Sequence, residues 1–329
     1  MPNSKLVTIF GGSGFVGRYI ARRMAQQGWR VRVACRRPGE AGFVRTYGVV
    51  GQVEPIFCNI RDDDSVRAAT RGSDVVVNCV GTFAAKGKNN FEAVQAEGAG
   101  RIARIAAEEA VAGMVHVSAI GADAESESLY AQSKAAGEEA VLDAMPGAVI
   151  LRPSVIFGTE DAFFNRFANM AKMSPILPLF GAGSKFQPVW VDDVAAAAEK
   201  AVLGQADAGV YELGGPEVDT FSGWVKTMLG IVQRRRLIMG LPFVVGQFMA
   251  WCLDLAQTLS LGLFNNSVLT RDQVRQLRSD NVVAEGARGF ADLGLEPVAP
   301  EAVMPDYLWP HRPSGQYAAI KASAANLKN

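Results

Sequence analysis

The chain has 329 residues with 33 basic and 33 acidic side chains, a formal net charge of zero, so nothing points to a nucleic-acid partner. At 49% hydrophobic residues it can bury a large core, which predicts one sizeable domain with a smaller companion. The four cysteines, Cys35, Cys58, Cys79 and Cys252, are scattered and the only histidines are His116 and His311, a pattern that excludes a disulfide framework and predicts buried thiols and no metal centre.

The apolar, β-branched run Leu6–Phe10 reads as a strand buried on both faces. It leads directly into Gly11-x-x-Gly14-x-x-Gly17, with Ser13 and Phe15 among the glycines, and then into a helical pattern over residues 19–25. Such a turn lets backbone approach a pyrophosphate, while the free N–H groups and dipole of the helix favour its negative charge. Alone the three glycines mean little; between a strand and a helix they predict a dinucleotide site. No secretory or transit sequence precedes the strand, which predicts a chain on the cytosolic side or one already processed. Arg30–Cys35 is the second strand, followed at once by Arg36 and Arg37 with no acid before Glu40. An acid here would read the ribose 2′-hydroxyl of NAD, whereas arginine accommodates a 2′-phosphate, so NADP(H) is expected; the alternative is two solvated arginines on a loop.

Residues 53–58 form a third strand, then Asn59-Ile60-Arg61-Asp62 opens a loop before a helix. Residues 74–81 are a fourth buried strand ending at Val80-Gly81, where the chain can come close to the cofactor. A long helix is expected over 91–110, a fifth strand over 113–118 and a sixth over 148–153. This alternation predicts an α/β fold with a doubly wound parallel sheet. Glycines and prolines between Gly158 and Gly183 predict loops; a helix follows over 192–202, capped by Asp192 or Asp193, then a strand over 210–213 returning to the main sheet and a helix over 220–229. The dinucleotide-binding domain is placed at 1–153 with returning elements around 186–214, and a smaller, mostly helical domain at 154–329.

Residues 237–264 are the most apolar long stretch, but Pro242 and Gln247 interrupt it and Asp254 stops it, short of the about 20 apolar residues that a membrane span needs. A buried helical pair is one reading. Arg234, Arg235 and Arg236 just before it, and Phe243, Phe248, Trp251 and Phe264 within it, favour an exposed interface that meets anionic phospholipid through 234–264.

The chemistry-bearing residues are Ser118, closing the fifth strand, and Tyr130-Ala-Gln-Ser-Lys134 at a helix start. A spacing of four sets Tyr130 and Lys134 on one helical face. An ammonium near a phenol stabilises the phenolate, and such a tyrosine exchanges a proton with a carbonyl or alcohol while a nicotinamide exchanges hydride, with the serine holding the substrate oxygen. The alternative is that Lys134 holds the cofactor ribose and Tyr130 only packs beside it.

The glycine motif, Ser118, Tyr130-x-x-x-Lys134 and Leu151-Arg-Pro153 together resemble the extended or atypical short-chain dehydrogenase/reductase superfamily. Arg152-Pro-Ser-Val-Ile-Phe-Gly-Thr-Glu-Asp161, Phe164-Asn-Arg-Phe-Ala168, Gln187-Pro-Val-Trp-Val-Asp-Asp-Val194, Leu269-Thr-Arg-Asp-Gln-Val-Arg275 and the tail from Tyr307 to Tyr317 narrow the likeness to the Rossmann-type accessory subunits of respiratory complex I. The resemblance covers almost the whole chain. It implies a subunit that binds NADPH tightly and stabilises the assembly near the junction of the peripheral and membrane arms, off the electron-transfer path, with other complex I subunits as partners. It implies cofactor roles for Gly11, Ser13, Gly14, Phe15, Gly17, Arg36, Arg37, Asn59, Ile60, Val80, Gly81, Ser118, Tyr130, Lys134 and Pro153. Asn59 departs from the acidic residue that relatives often use for the adenine amino group. The expected location is peripheral, at the cytoplasmic face of a bacterial inner membrane or the matrix side of a mitochondrial one. Because Ser118, Tyr130 and Lys134 are all present, a free NADP(H)-dependent reductase or epimerase acting on a small carbonyl or alcohol stands as the alternative.

Overall fold

The structure, a computed structural model, describes residues 5–83, 87, 89–248 and 271–317. In chain order the elements begin with β1 (Leu6–Phe10), α1 (Phe15–Gln26), β2 (Arg30–Cys35), β3 (Val53–Phe57), α2 (Asp63–Thr70), β4 (Val75–Asn78) and α3 (Glu97–Glu108). Next come β5 (Gly113–Val117), α4 (Leu129–Ala144), β6 (Val149–Pro153), β7 (Ile156–Phe157), α5 (Phe164–Met173), β8 (Ile176–Phe180), β9 (Lys185–Phe186) and β10 (Val189–Trp190). Then follow α6 (Val191–Val202), β11 (Gly209–Leu213), β12 (Asp219–Thr220), α7 (Phe221–Ile231) and β13 (Leu237–Leu241). Two compact units result.

The first unit comprises Met1–Ser154, Val191–Gly214 and Val283–Glu296. Its seven-stranded sheet has the order β11-β6-β5-β4-β1-β2-β3 and every pairing is parallel. Parallel strands need helical crossovers that cover the faces, so central strands are apolar on both sides; all five residues of β1 and all four of β4 are buried. Phe10, Val76, Met114 and Ile150 from the sheet meet Ile102, Ile105 and Val141 from α3 and α4 in one core cluster. Helix α1 packs on α6, where Arg23 pairs with Asp192 at 2.7 Å and Glu199 at 2.9 Å. The strand order reverses between β1 and β4, and at such a switch point the carboxyl ends of the strands open a ligand crevice. The returning strand expected over 210–213 is β11, beside β6.

The second unit comprises Val155–Trp190, Gly215–Val282 and Pro297–Asn329. Its core gathers Phe157, Phe164, Phe186, Phe221, Trp224, Met228 and Tyr307. Three two-stranded sheets, β7–β10, β9–β12 and β8–β13, accompany the helices. Buried Asp161 accepts hydrogen bonds from the backbone N–H of Gly158, Phe163 and Asn165 and from the Tyr307 hydroxyl at 2.7 Å, tying its loop to the helix Pro300–Leu308. Desolvation nevertheless pushes its carboxyl above the ordinary value.

Several expectations need correction. The stretch read as loops between Gly158 and Gly183 contains α5, whose Phe164, Ala168 and Ala171 form a buried stripe. Helix α6 starts at Val191, so Asp192 and Asp193 lie in its first turn instead of capping it, where their charge suits the helix dipole. The helix expected from 91 opens with a π-helical turn over Glu92–Ala96. Leu237–Leu241 is a strand paired with β8, not half of a helical pair. Cys79 is only half-buried, and Cys252, Trp251 and Phe264 lie outside the described residues.

Candidate functional site

The carboxyl ends of β1, β2, β4, β5 and β6 bring together most of the residues singled out by sequence. After β1, Gly11 adopts a left-handed φ of +74°, and a Cβ there would stand 3.2 Å from the Cys79 carbonyl and Val80 nitrogen, so the turn needs glycine to nest against the end of β4. Gly17 is held more tightly: its Cβ would lie 2.4 Å from the Gly11 carbonyl oxygen, which lets α1 start flush on the turn. Gly14 is the N-cap of α1, is exposed, and supplies no side-chain cap. The first N–H groups of a twelve-residue helix therefore receive no side-chain cap, the arrangement that suits a phosphate anion. Ser13 and Phe15 flank this opening, half-buried.

At the end of β2 both arginines are exposed, but they differ. Arg37 pairs with Glu40 at 3.2 Å on the open surface, whereas Arg36 makes no ion pair among the described residues. A third arginine escaped the sequence reading. Arg18, on the first turn of α1, donates from Nε to the Gly14 carbonyl at 3.2 Å and from a terminal nitrogen to the Ser13 carbonyl at 3.1 Å. Its guanidinium lies 4.8 Å from the ring centre of Phe43. The signal available in sequence was only its position directly after the third glycine.

Asn59 sits past β3, its side-chain oxygen accepting from the Arg61 N–H at 3.2 Å and its own N–H donating to the Ser65 hydroxyl at 3.0 Å. Ile60 packs against Gly98 of α3, where a Cβ would approach its Cδ1 to 2.9 Å. Val80 donates its N–H to Asn78 Oδ1 at 3.0 Å, and a Cβ on Gly81 would lie 3.7 Å from Lys134 Nζ. Pro153 ends β6, buried, its carbonyl accepting from Ile120.

Helix α4 is capped by the Ser128 hydroxyl, which accepts from the Ala131 N–H. From there Tyr130, Lys134 and Glu138 follow one another at intervals of four, a single stripe along the helix. Lys134 is buried, donates to the Val117 carbonyl at 3.2 Å and stands over the Tyr130 ring at 5.9 Å. Burial lowers its pKa to about 8, against the opposing pull of Glu138. Phe83 stacks on Tyr130 with centroids 5.5 Å apart and Phe91 meets it edge-on at 6.0 Å. The π-helical turn before α3 aims Gln95 inward, where it donates to the Thr82 carbonyl and accepts from Ser133 at 3.2 Å.

Glu138 is the functional neighbour that sequence reasoning missed. It is buried, accepts a short hydrogen bond from the Ser118 hydroxyl, and takes Arg152 in a bidentate grip at 2.9 and 2.6 Å. Arg152 also stands 3.6 Å from Glu212. The Ser118 proton is thus committed to a carboxylate within the fold. Nearby, the Asn78 amide donates to His116 Nδ1 at 3.1 Å, its oxygen being fixed by Val80, so the imidazole carries its proton on Nε2. Burial, reinforced by repulsion from Lys134, pushes the His116 pKa to about 3, so the ring is neutral at physiological pH. Among the described residues no cluster of three or more His, Cys, Asp or Glu stands ready for a metal ion, and no helix is long and apolar enough to cross a membrane.

The model of the NAD dependent epimerase/dehydratase family matches residues 7–214. The chain is 34% identical to the NADH dehydrogenase [ubiquinone] 1 alpha subcomplex subunit 9 of Arabidopsis thaliana, over 94% of this chain and 79% of that protein. It is also 34% identical to a ceramide reductase of Caulobacter vibrioides, over 68% of this chain and 69% of that one. Among solved structures it is similar in fold to the Escherichia coli NADPH-dependent quinone oxidoreductase QOR2 in complex with NADPH, with a TM-score of 0.69 at 15% identity, covering 92% of this chain and 98% of the other. With the glycine turn at the sheet's switch point and the Ser118, Tyr130 and Lys134 positions in place, the chain belongs to the NAD dependent epimerase/dehydratase family and, within it, to the family of complex I alpha subcomplex subunit 9.

Proposed function

We propose that the chain is an accessory subunit of respiratory complex I that binds NADPH and holds it as a structural element at the junction of the peripheral and membrane arms. The uncapped start of α1, Gly11, Gly14 and Gly17 would take the pyrophosphate, Arg36 the 2′-phosphate, and Lys134 with Gly81 the nicotinamide-side ribose. Arg37 contributes less, because Glu40 already competes for it. When bound, the group would supply hydride chemistry; the residues around it are arranged to hold it still. The observation that carries this reading is the Ser118 hydroxyl donating to Glu138, since a serine whose single O–H is held by a carboxylate has none left to donate to a substrate carbonyl. The same reading puts the protein peripherally on the inner membrane, at its cytoplasmic or matrix side.

A second reading is a free NADP(H)-dependent reductase. The Tyr130–Lys134 pair on one face of α4 favours it, as does the likeness to a protein named ceramide reductase. Purification of the native protein from detergent-solubilised membranes separates the two. Co-purification with complex I subunits, bound NADPH, and a Tyr130→Phe variant with unchanged occupancy and assembly would support the accessory role. Recovery as a free soluble protein that turns over NADPH with a carbonyl substrate, lost in Tyr130→Phe, would overturn it.

A further inference from the structure

The β8–β13 sheet in the second unit is a parallel pair of strands. Two-stranded sheets are marginal by themselves, and parallel pairing is the weaker kind. One side of it is secured: Leu177 and Leu179 of β8 are fully buried in the unit's core. The opposite side is apolar and, among the described residues, open. The register sets Leu237 beside Ile176 and Met239 beside Pro178, and Leu237 is 63% exposed and Met239 42% exposed. Val244 and Val245, just beyond the strand, are exposed as well.

At the start of β13 this apolar strip runs into a groove of about 740 Å³. Leu229 and Ile238 line it, together with Lys226, Arg234, Arg235 and Arg236, and among the described residues no acidic side chain is part of the lining. Two of the cations are fixed in place: Arg234 Nε donates to the His311 carbonyl at 2.8 Å, and Arg236 Nε to the Ala171 carbonyl at 2.7 Å. Lys226 and Arg235 are exposed. A cationic rim alone would suit any anion. A cationic rim that passes within one strand into an exposed aliphatic strip suits an amphiphile, with its charge at one end and hydrocarbon at the other.

We propose that this groove receives the headgroup of an anionic phospholipid in a bilayer surface, with Leu237 and Met239 reaching the boundary of the acyl chains. The inference rests on the peripheral membrane placement proposed above and gives that placement a binding site.

The test is flotation of the full chain with phosphatidylcholine vesicles, and with the same vesicles containing phosphatidylglycerol or cardiolipin. Binding is expected only to the anionic vesicles, weakening with added salt. The pair Lys226→Gln and Arg235→Gln leaves both anchored arginines in place and should lower vesicle partitioning roughly 30-fold, about five-fold for each basic residue. Leu237→Gln with Met239→Gln should weaken binding by a step that salt does not reproduce. Equal binding to neutral vesicles, or wild-type partitioning by the Lys226/Arg235 variant, would overturn the proposal. Complete competition by inorganic phosphate would assign the groove to a free anion instead. Loss of the Lys226/Arg235 variant from delipidated complex I that retains the wild-type chain, with vesicle binding unchanged, would assign the groove to an acidic protein. A protein that co-purifies with complex I but ignores anionic vesicles refutes the lipid site and leaves the accessory role standing; one that floats on them but never co-purifies does the reverse.

Discussion

Removing the Glu138 carboxylate is the sharpest probe of the network behind the cofactor site. In the native fold it receives the Ser118 hydroxyl and three contacts from the Arg152 guanidinium, with side-chain exposures of 6% for Glu138 and 24% for Arg152. Glu138→Ala leaves Arg152 with Glu212 at 3.6 Å and deprives buried Ser118 of its acceptor. Breaking a buried ion pair from one side costs about 3–5 kcal/mol, and because water reaches the guanidinium we expect about 3 kcal/mol here. That corresponds to a melting temperature lower by about 6–12 °C for a domain of this size. Arg152→Met should be worse, since it strands the more deeply buried charge. The double variant Glu138→Ala/Arg152→Met strands neither charge, and should be more stable than Arg152→Met alone. Urea unfolding of the four proteins closes the cycle. Additivity within about 0.5 kcal/mol would mean that the two groups do not act as a pair and would refute the buried ion pair behind the site.

Two further outcomes bear on the cofactor. Arg36→Ala should weaken NADPH by roughly 10-fold or more, the low end for a charge-assisted bond to an exposed arginine, and leave NADH within about two-fold; equal losses for both, measured by calorimetry, would remove Arg36 from the 2′-phosphate. Lys134 has opposite signatures in the free and loaded protein. Its pKa falls from 10.5 to about 8 on folding, so the unfolded chain holds more protons between those values and the stability of the free protein should rise with pH across that window. Cofactor affinity, which uses the ammonium, should fall over the same window, and Lys134→Met should flatten both profiles.

The parallel sheet was legible because its strands advertise themselves: a run such as Leu6–Phe10, buried at every position, has few other ways to be satisfied. The glycine turn was legible for the same local reason. What escaped was decided by contacts distant in sequence. Glu138, next to Glu139 in an alanine-rich helix, reads as a solvated face until Arg152 and Ser118 close over it. Arg18 reads as an ordinary helix cation until its guanidinium folds back on the turn carbonyls. Leu237–Leu241 has no alternation of polar and apolar residues, and only β8 makes it a strand. Helix α5 was hidden by the glycine and proline on either side of it; its aromatic stripe is short, and the core of the second unit gives it a reason to coil.

The return of α6 and β11 has a consequence for biosynthesis. Until residue 213 is made, β6 has no neighbour on its outer edge and α1 lacks the helix against which Arg23 is anchored, 169 residues downstream of it in the case of Asp192. A nascent chain that has already emerged through β6 therefore carries an unpaired strand edge and an uncovered apolar helix face, while the intervening segment is still being translated. Pairings this distant in sequence form slowly. A fragment ending at Ser154 would keep the nucleotide turn yet lack the edge strand and its covering helix, and it is expected to aggregate on release from the ribosome; for this chain, the nucleotide fold is finished late although its signature is translated first.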